Sequence, residues 1–181
     1  MATSLQSIRG KKSPRRSILG MEGFYRVQIV DPDGKVAGDS GWEHNLITNQ
    51  LTQYISYLLL SSAGSSFISY IALGSSATAA LVTSASSLPG EYAKSLMTSI
   101  SAKTYTTRTS STTGDTIQFQ AQFASNSLAT GAQSNSLTYV GLYATSAANS
   151  LMCLGTFTSS TFASNQAINV SYNLVFTAST S

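Results

Sequence analysis

The fold class that this sequence predicts is all-β: a two-sheet β-sandwich or jelly-roll-like arrangement with one α-helix and an extended N-terminal arm. Three observations predict it. Apolar and polar residues alternate with period two over several stretches, as in strands buried on one face only. A helical period is sustained once. Charge is crowded into the first residues: 1–20 hold Arg9, Lys11, Lys12, Arg15 and Arg16 and no acid, whereas His44 to Ser181 carry only Glu91, Lys94, Lys103, Arg108 and Asp115.

Residues 1–20 are polar, basic, interrupted by Pro14 and without apolar periodicity, which describes an arm that is disordered until a partner orders it. The body, 21–181, opens with a strand over 24–30 that places Tyr25, Val27 and Ile29 on one face. Asp31-Pro32-Asp33-Gly34 supplies a turn, with Pro presetting φ and Gly accepting a positive φ. A second strand is expected from Lys35 to about Thr48, with Gly38 and Gly41 permitting bulges.

The helix is expected near 49–60, capped by Asn49 or Thr48. Leu51, Tyr54, Ile55, Leu58 and Leu59 form its apolar stripe, and Gly64 is its C-cap. A strand over 67–73, a small-residue loop over 74–90 and the break at Pro89-Gly90-Glu91 come next. Ser99–Thr109 is expected to pair across Thr113-Gly114 with Thr116–Phe123, where Ile117, Phe119, Ala121 and Phe123 alternate with Gln118, Gln120 and Gln122. Strands over 137–144 and 151–158 precede the cleanest alternation, Ile168, Val170, Tyr172, Leu174 and Phe176 against Asn169, Ser171 and Asn173. About eight strands and one helix result, enough for two packed sheets.

At 181 residues the chain fits one domain. Its 33 Ser and 21 Thr provide hydrogen bonding without charge. The net charge of +3 divides into +5 over 1–20 and −2 over 21–181 (five basic and seven acidic residues), so the basic balance belongs to the arm. Charged surface normally opposes self-association, and a body that forgoes it is suited to an assembly. The single Cys153 excludes an intrachain disulfide and a multi-thiolate metal site, and its Leu-Met-Cys-Leu setting marks a buried small hydrophobe. Arg15-Arg16 is not followed by the apolar stretch of a leader, and the apolar run near 51–60 is too short to span a membrane.

Catalytic chemistry is poorly supplied, and no cofactor or metal is expected. The one histidine, His44, needs an orienting acid and a nucleophile to act as a base. Glu43, its strand neighbour, points to the opposite face. Glu91 and Asp115 are the candidate carboxylate pair for glycoside chemistry, without further support. Asp31-Pro32-Asp33-Gly34 resembles the start of a calcium loop but lacks the later oxygen ligands. Asn169-Val170-Ser171 matches a glycosylation sequon inside a strand. The remaining electrostatic feature is Arg9, Lys11, Lys12, Arg15 and Arg16, a partner-binding arm. Aromatics interleaved with these charges are absent, which argues for a protein partner over nucleic acid.

Four short pieces occur in a characteristic order: His44-Asn45-Leu46-Ile47-Thr48-Asn49, Ile71-Ala72-Leu73-Gly74, Leu88-Pro89-Gly90-Glu91 and Val140-Gly141-Leu142-Tyr143, followed by an apolar strand and a terminal alternating strand. In this order, over about residues 22–177, the chain resembles a family of small structural proteins of tailed-phage virions. That resemblance implies a non-enzymatic component of the virion, assembled in the host cytoplasm. Thr138-Tyr139 stands where family members commonly carry a charge.

The expectation is a capsid decoration or cement protein that docks on the major capsid protein, or on other virion proteins, through its arm. It is expected to form a homo-oligomer, with a trimer favoured, and to bind neither membrane nor nucleic acid. A tail, neck or fibre-attachment protein is the alternative. A carbohydrate- or receptor-binding module is the second, and it requires exposed aromatics such as Trp42 and some of the nine tyrosines.

Overall fold

Eleven strands and one helix are formed by the residues that the computed structural model describes, namely 17–60, 68–75, 80–97, 99–103, 115–124, 137–147, 149–160 and 162–180. In chain order they are β1 (Ser17–Val30), β2 (Val36–Asp39), β3 (Glu43–His44), β4 (Leu46–Ile47), α1 (Asn49–Leu60), β5 (Tyr70–Gly74), β6 (Glu91–Leu96), β7 (Ser99–Lys103), β8 (Thr116–Phe123), β9 (Leu137–Tyr143), β10 (Leu151–Ser160) and β11 (Ala167–Thr180). They build a mainly-β sandwich of two antiparallel sheets. Sheet A has the order β2-β1-β11-β8-β7, with β3 beside β2 on the same side of β1, and sheet B has the order β4-β10-β9-β5-β6.

The first and last strands form the longest pair, in register from Ser17 opposite Thr180 to Val30 opposite Ala167. Period-two alternation sends Tyr25 and Val27 of β1, Phe119, Ala121 and Phe123 of β8, and Ile168, Val170, Tyr172 and Leu174 of β11 into the space between the sheets. There they meet Ile71 and Leu73 of β5, Val140 and Leu142 of β9, and Met152 and Cys153 of β10. Two tyrosines add polar ties across this layer. The Tyr25 hydroxyl donates to the Thr156 carbonyl of β10, and the Tyr172 hydroxyl donates to the Val140 carbonyl of β9 at 3.1 Å. A buried tyrosine is stable where its hydroxyl finds such an acceptor.

The helix lies where its periodicity predicts. Leu51 is buried, and Tyr54 and Ile55 pack half-buried against the core. Its start differs from the expected side-chain cap. The buried Thr48 hydroxyl donates to the Leu151 and Met152 carbonyls of β10, at 2.7 and 2.9 Å, so it ties the helix to sheet B. The first backbone amide, Asn49 N–H, is taken by the Thr83 carbonyl at 2.8 Å.

Other expectations change in detail. Ser17–Gly20, assigned to the arm, are the first residues of β1 and pair with Thr177–Thr180. The expected strand from Lys35 to Thr48 is broken into β2, β3 and β4, because Gly41 takes a positive φ of 72° and β4 leaves sheet A to join β10. β7 and β8 do pair, but with Ser99 opposite Gln120, whereas a turn centred on Thr113-Gly114 would have brought Thr107 there. That turn, Leu58 and Leu59 as helix side chains, Gly64 and Phe67 lie outside the described residues or side chains. β6 was not expected: Glu91–Leu96 carries only a weak apolar alternation, and pairing to β5 makes it a strand.

Candidate interaction surfaces

The residues proposed from sequence for partner binding, Arg9, Lys11, Lys12, Arg15 and Arg16, lie outside the described residues; the first described residue, Ser17, follows Arg16 directly. The other sequence candidates have definite places. His44 is exposed in β3, opposite Phe24, with the two rings 4.4 Å apart. Its neighbour Glu43 lines a different surface, the cleft described below. Glu91 and Asp115 sit on different sheets: Glu91 begins β6 in sheet B, and Asp115 immediately precedes β8 in sheet A. They do not form a carboxylate pair. Among the described residues no three His, Cys, Asp or Glu side chains gather as a metal site.

Asp31-Pro32-Asp33-Gly34 is a hairpin turn. The Asp31 N–H donates to the Lys35 carbonyl at 2.8 Å, the Gly34 N–H to the Asp31 carbonyl at 2.9 Å, and the Lys35 N–H to the Asp33 carboxylate at 3.1 Å. Its carboxylates are used within the turn and against Gln166, whose amide donates to Asp31 at 2.7 Å. Cys153 is fully buried in the core, and burial pushes its thiol up to about 12, away from the reactive thiolate. No helix among the described residues is long and apolar enough to cross a membrane.

The outer face of sheet B is closed over. Ala72, Tyr139, Tyr143, Leu151 and Leu154 point away from the sandwich core and would meet water, but segment 80–90 crosses them and sets Leu88 among them. The Leu88 N–H donates to the Tyr143 hydroxyl at 2.7 Å, and that hydroxyl donates to Glu91 at 2.6 Å. Lys94 pairs with Glu91 at 3.2 Å and lies 3.7 Å above the Tyr143 ring. Burial first, and then the Glu91 carboxylate, raise the Tyr143 hydroxyl well above the ordinary phenol range. Gly141 makes room at this contact, since a Cβ there would fall 2.8 Å from Leu151 Cδ1 and 2.9 Å from Leu88 Cδ1 and the two leucine side chains would have to shift. The short pieces at 44–49, 71–74, 88–91 and 140–143 thus converge, through Leu46, Ala72, Leu88 and Tyr143, on one packed strap.

The outer face of sheet A is the opposite case. Register aligns side chains in rows that are polar except for the buried Phe24: Asp39, Gln28, Asn169 and Gln122 in one, Arg26, Ser171 and Gln120 in the next, and His44, Phe24, Asn173 and Gln118 in the third. Each β8 glutamine donates to its β11 partner, Gln122 to Asn169 at 2.9 Å, Gln118 to Asn173 at 3.1 Å and Gln120 to Ser171 at 3.3 Å. At the β2 margin Arg26 Nε donates to both carboxylate oxygens of Asp39, at 2.9 and 3.1 Å, and Gln28 donates to Asp39 at 3.0 Å. Hydrogen bonding from Arg26 holds the Asp39 carboxyl well below its usual range. The sequon Asn169 belongs to this ladder.

The two polar alternations are each visible in the sequence. Their shared surface is not, because the pairing of β1 with β11 that adds Gln28, Arg26 and Phe24 joins residues from opposite ends of the chain. A cleft of about 270 Å³ opens between the sheets at the side of β2 and β10, lined by Ile29, Asp39, Ser40, Glu43 and Phe157 among others. Of the large apolar side chains that remain exposed among the described residues, the aromatic ones are Trp42 and Tyr57; Tyr25, Tyr139, Tyr143 and Tyr172 are buried. Comparison of the chain with protein-family models, with curated proteins and with solved structures finds no match.

Proposed function

We propose that this protein is a non-enzymatic structural component of a tailed-phage virion, a capsid decoration protein that docks on the shell through the basic segment 9–16. One observation carries the reading: the abrupt division between five uncompensated basic residues before Ser17 and a β-sandwich body whose long strands are nearly free of charge. A basic segment without apolar periodicity is suited to wrapping a partner's surface. A body so poor in charge docks beside the shell protein with little charge desolvation. The resemblance to small virion proteins supports the same reading, and the convergence of its four pieces on the strap gives them a packing role.

β1 offers a second element for such an attachment. Its pairing to β2 and β3 covers Phe24–Val30, and among the described residues no strand pairs with Ser17–Glu22 on that side. An unpaired strand edge accepts a strand from a neighbour. The test is binding to particles that lack the protein. Reversing Arg15 and Arg16 to Glu should weaken binding, and added salt should weaken wild-type binding. Wild-type binding insensitive to salt and unchanged by the reversal would overturn the docking role. Copy number in the particle separates the locations: hundreds of copies place the protein on the shell, and a few dozen or fewer place it in the tail.

A further inference from the structure

We infer that the outer face of sheet A is a binding site for a neutral glycan, a function separate from docking by the arm. Three features of the face specify the ligand. The first is shape. The central strand β11 carries the short side chains Asn169, Ser171 and Asn173, while β8 carries longer glutamines on one side and β1 carries Gln28 and Arg26 on the other. The result is a trough along β11, with a hollow of about 320 Å³ lined by Gln28, Gln120, Gln122, Asn169 and Ser171.

The second feature is chemistry. Carboxamides and hydroxyls present donors and acceptors together, matching the hydroxyls of a sugar, each of which is both. The amides are held by the bonds across the sheet, so little freedom is lost on binding. The third feature is the margin. Trp42 is 45% exposed, in the bend between Gly41 and β3, the strand whose His44 rests against Phe24. An exposed indole provides the flat apolar surface on which the C–H face of a sugar ring rests.

Charge excludes the main competitors. Arg26 and Asp39 neutralise each other, and the amide rows carry no charge, so neither a polyanion nor an acidic sugar finds a counter-charge there. A second copy of the chain is a poorer fit, because contacts between identical subunits have a largely apolar centre and this face presents amides.

The full chain should be titrated by calorimetry with short neutral oligosaccharides of hexose and N-acetylhexosamine, and with their acidic, uronate-containing counterparts. Binding of at least one neutral oligomer is expected, with the acidic counterpart weaker. Trp42→Ala and Asn169→Ala should each weaken binding by about tenfold or more while the melting curve stays cooperative. Asn169→Ala keeps the test decisive if Trp42→Ala disturbs the β2–β3 region. Absence of binding across the neutral panel overturns the assignment, as does equal binding in both variants. A loss of self-association in these variants, with no glycan bound by the wild type, would instead make the face a contact between copies. Arm variants at Arg15 and Arg16 should bind the glycan unchanged, which separates this outcome from that of the docking test.

Discussion

The two outer faces of the sandwich solve one problem in opposite ways. Sheet B points Ala72, Tyr139, Tyr143, Leu151 and Leu154 outward and closes over them with a strap anchored by Leu88. Sheet A points the amides and hydroxyls of Asn169, Ser171, Asn173 and the β8 glutamines outward and leaves these rows partly exposed, while Val175 and Phe24 on the same face are buried. Both faces have alternating strands, so alternation alone does not tell a surface that binds from one that is merely covered. The chemistry of the outward residues does. Apolar outward residues require a lid from the same chain or from a partner, whereas the neutral polar rows of sheet A need none and stay accessible.

Deletion of packing at the strap should produce the largest contrast. Leu88→Ala removes the anchor from a site 3% exposed and should cost about 2–5 kcal/mol, read as a lower urea midpoint. Gln122→Ala on the exposed ladder should remain within about 0.5 kcal/mol of wild type. Equal losses would mean that the ladder, too, is structural.

Tyr143→Phe should follow at about 1–3 kcal/mol, because the buried Leu88 N–H loses its acceptor and Glu91 loses its donor. Alkaline titration extends this comparison. Burial raises the Tyr25 hydroxyl to about 12 and raises those of Tyr143 and Tyr172 as well. Groups raised in this way stabilise the fold fully below the ordinary value of 10, and the contribution is lost as pH rises through the folded values. Phenolate absorbance should therefore leave these three tyrosines un-ionised at about pH 10–11 until unfolding releases them together. Cys153 should resist thiol reagents until the same transition.

The smallest effect belongs to the open face. Asp39→Asn removes an ion pair that solvent screens, so a small loss of stability is expected at neutral pH. Its folded carboxyl is depressed by Arg26, so the contribution is present above the ordinary value of 3.8 and fades as pH falls below it. Melting curves of wild type and Asp39→Asn should accordingly converge in acid.

What could be read from sequence follows the range of the interactions involved. The helix, the Asp31–Gly34 turn and the alternating strands β8 and β11 depend on neighbours within a few residues, and their patterns survive in the sequence. β6 does not, because Glu91–Leu96 becomes a strand only by pairing to β5. The division of Lys35–Thr48 is marked by Gly41, but the passage of β4 to the other sheet is decided by Leu46 and Ile47 meeting Leu154 and Cys153 of β10. The candidate site shows the same limit. Gln118, Gln120 and Gln122 are visibly polar and alternating, yet their juxtaposition with Asn169 and Gln28 comes from pairings between residues far apart in the chain. Cys153 was legible because an apolar setting around one cysteine requires no distant partner.

The division of labour between a basic segment and a neutral body is tested most directly by removing the segment alone. Because β1 begins at Ser17 and pairs with the last strand, the deletion should end at Arg16 so that the sheet remains intact. Occupancy on particles that lack the protein, measured beside a melting curve, should show a body that folds as before but attaches weakly or not at all. Full occupancy by the truncated protein would contradict the assignment of docking to the arm.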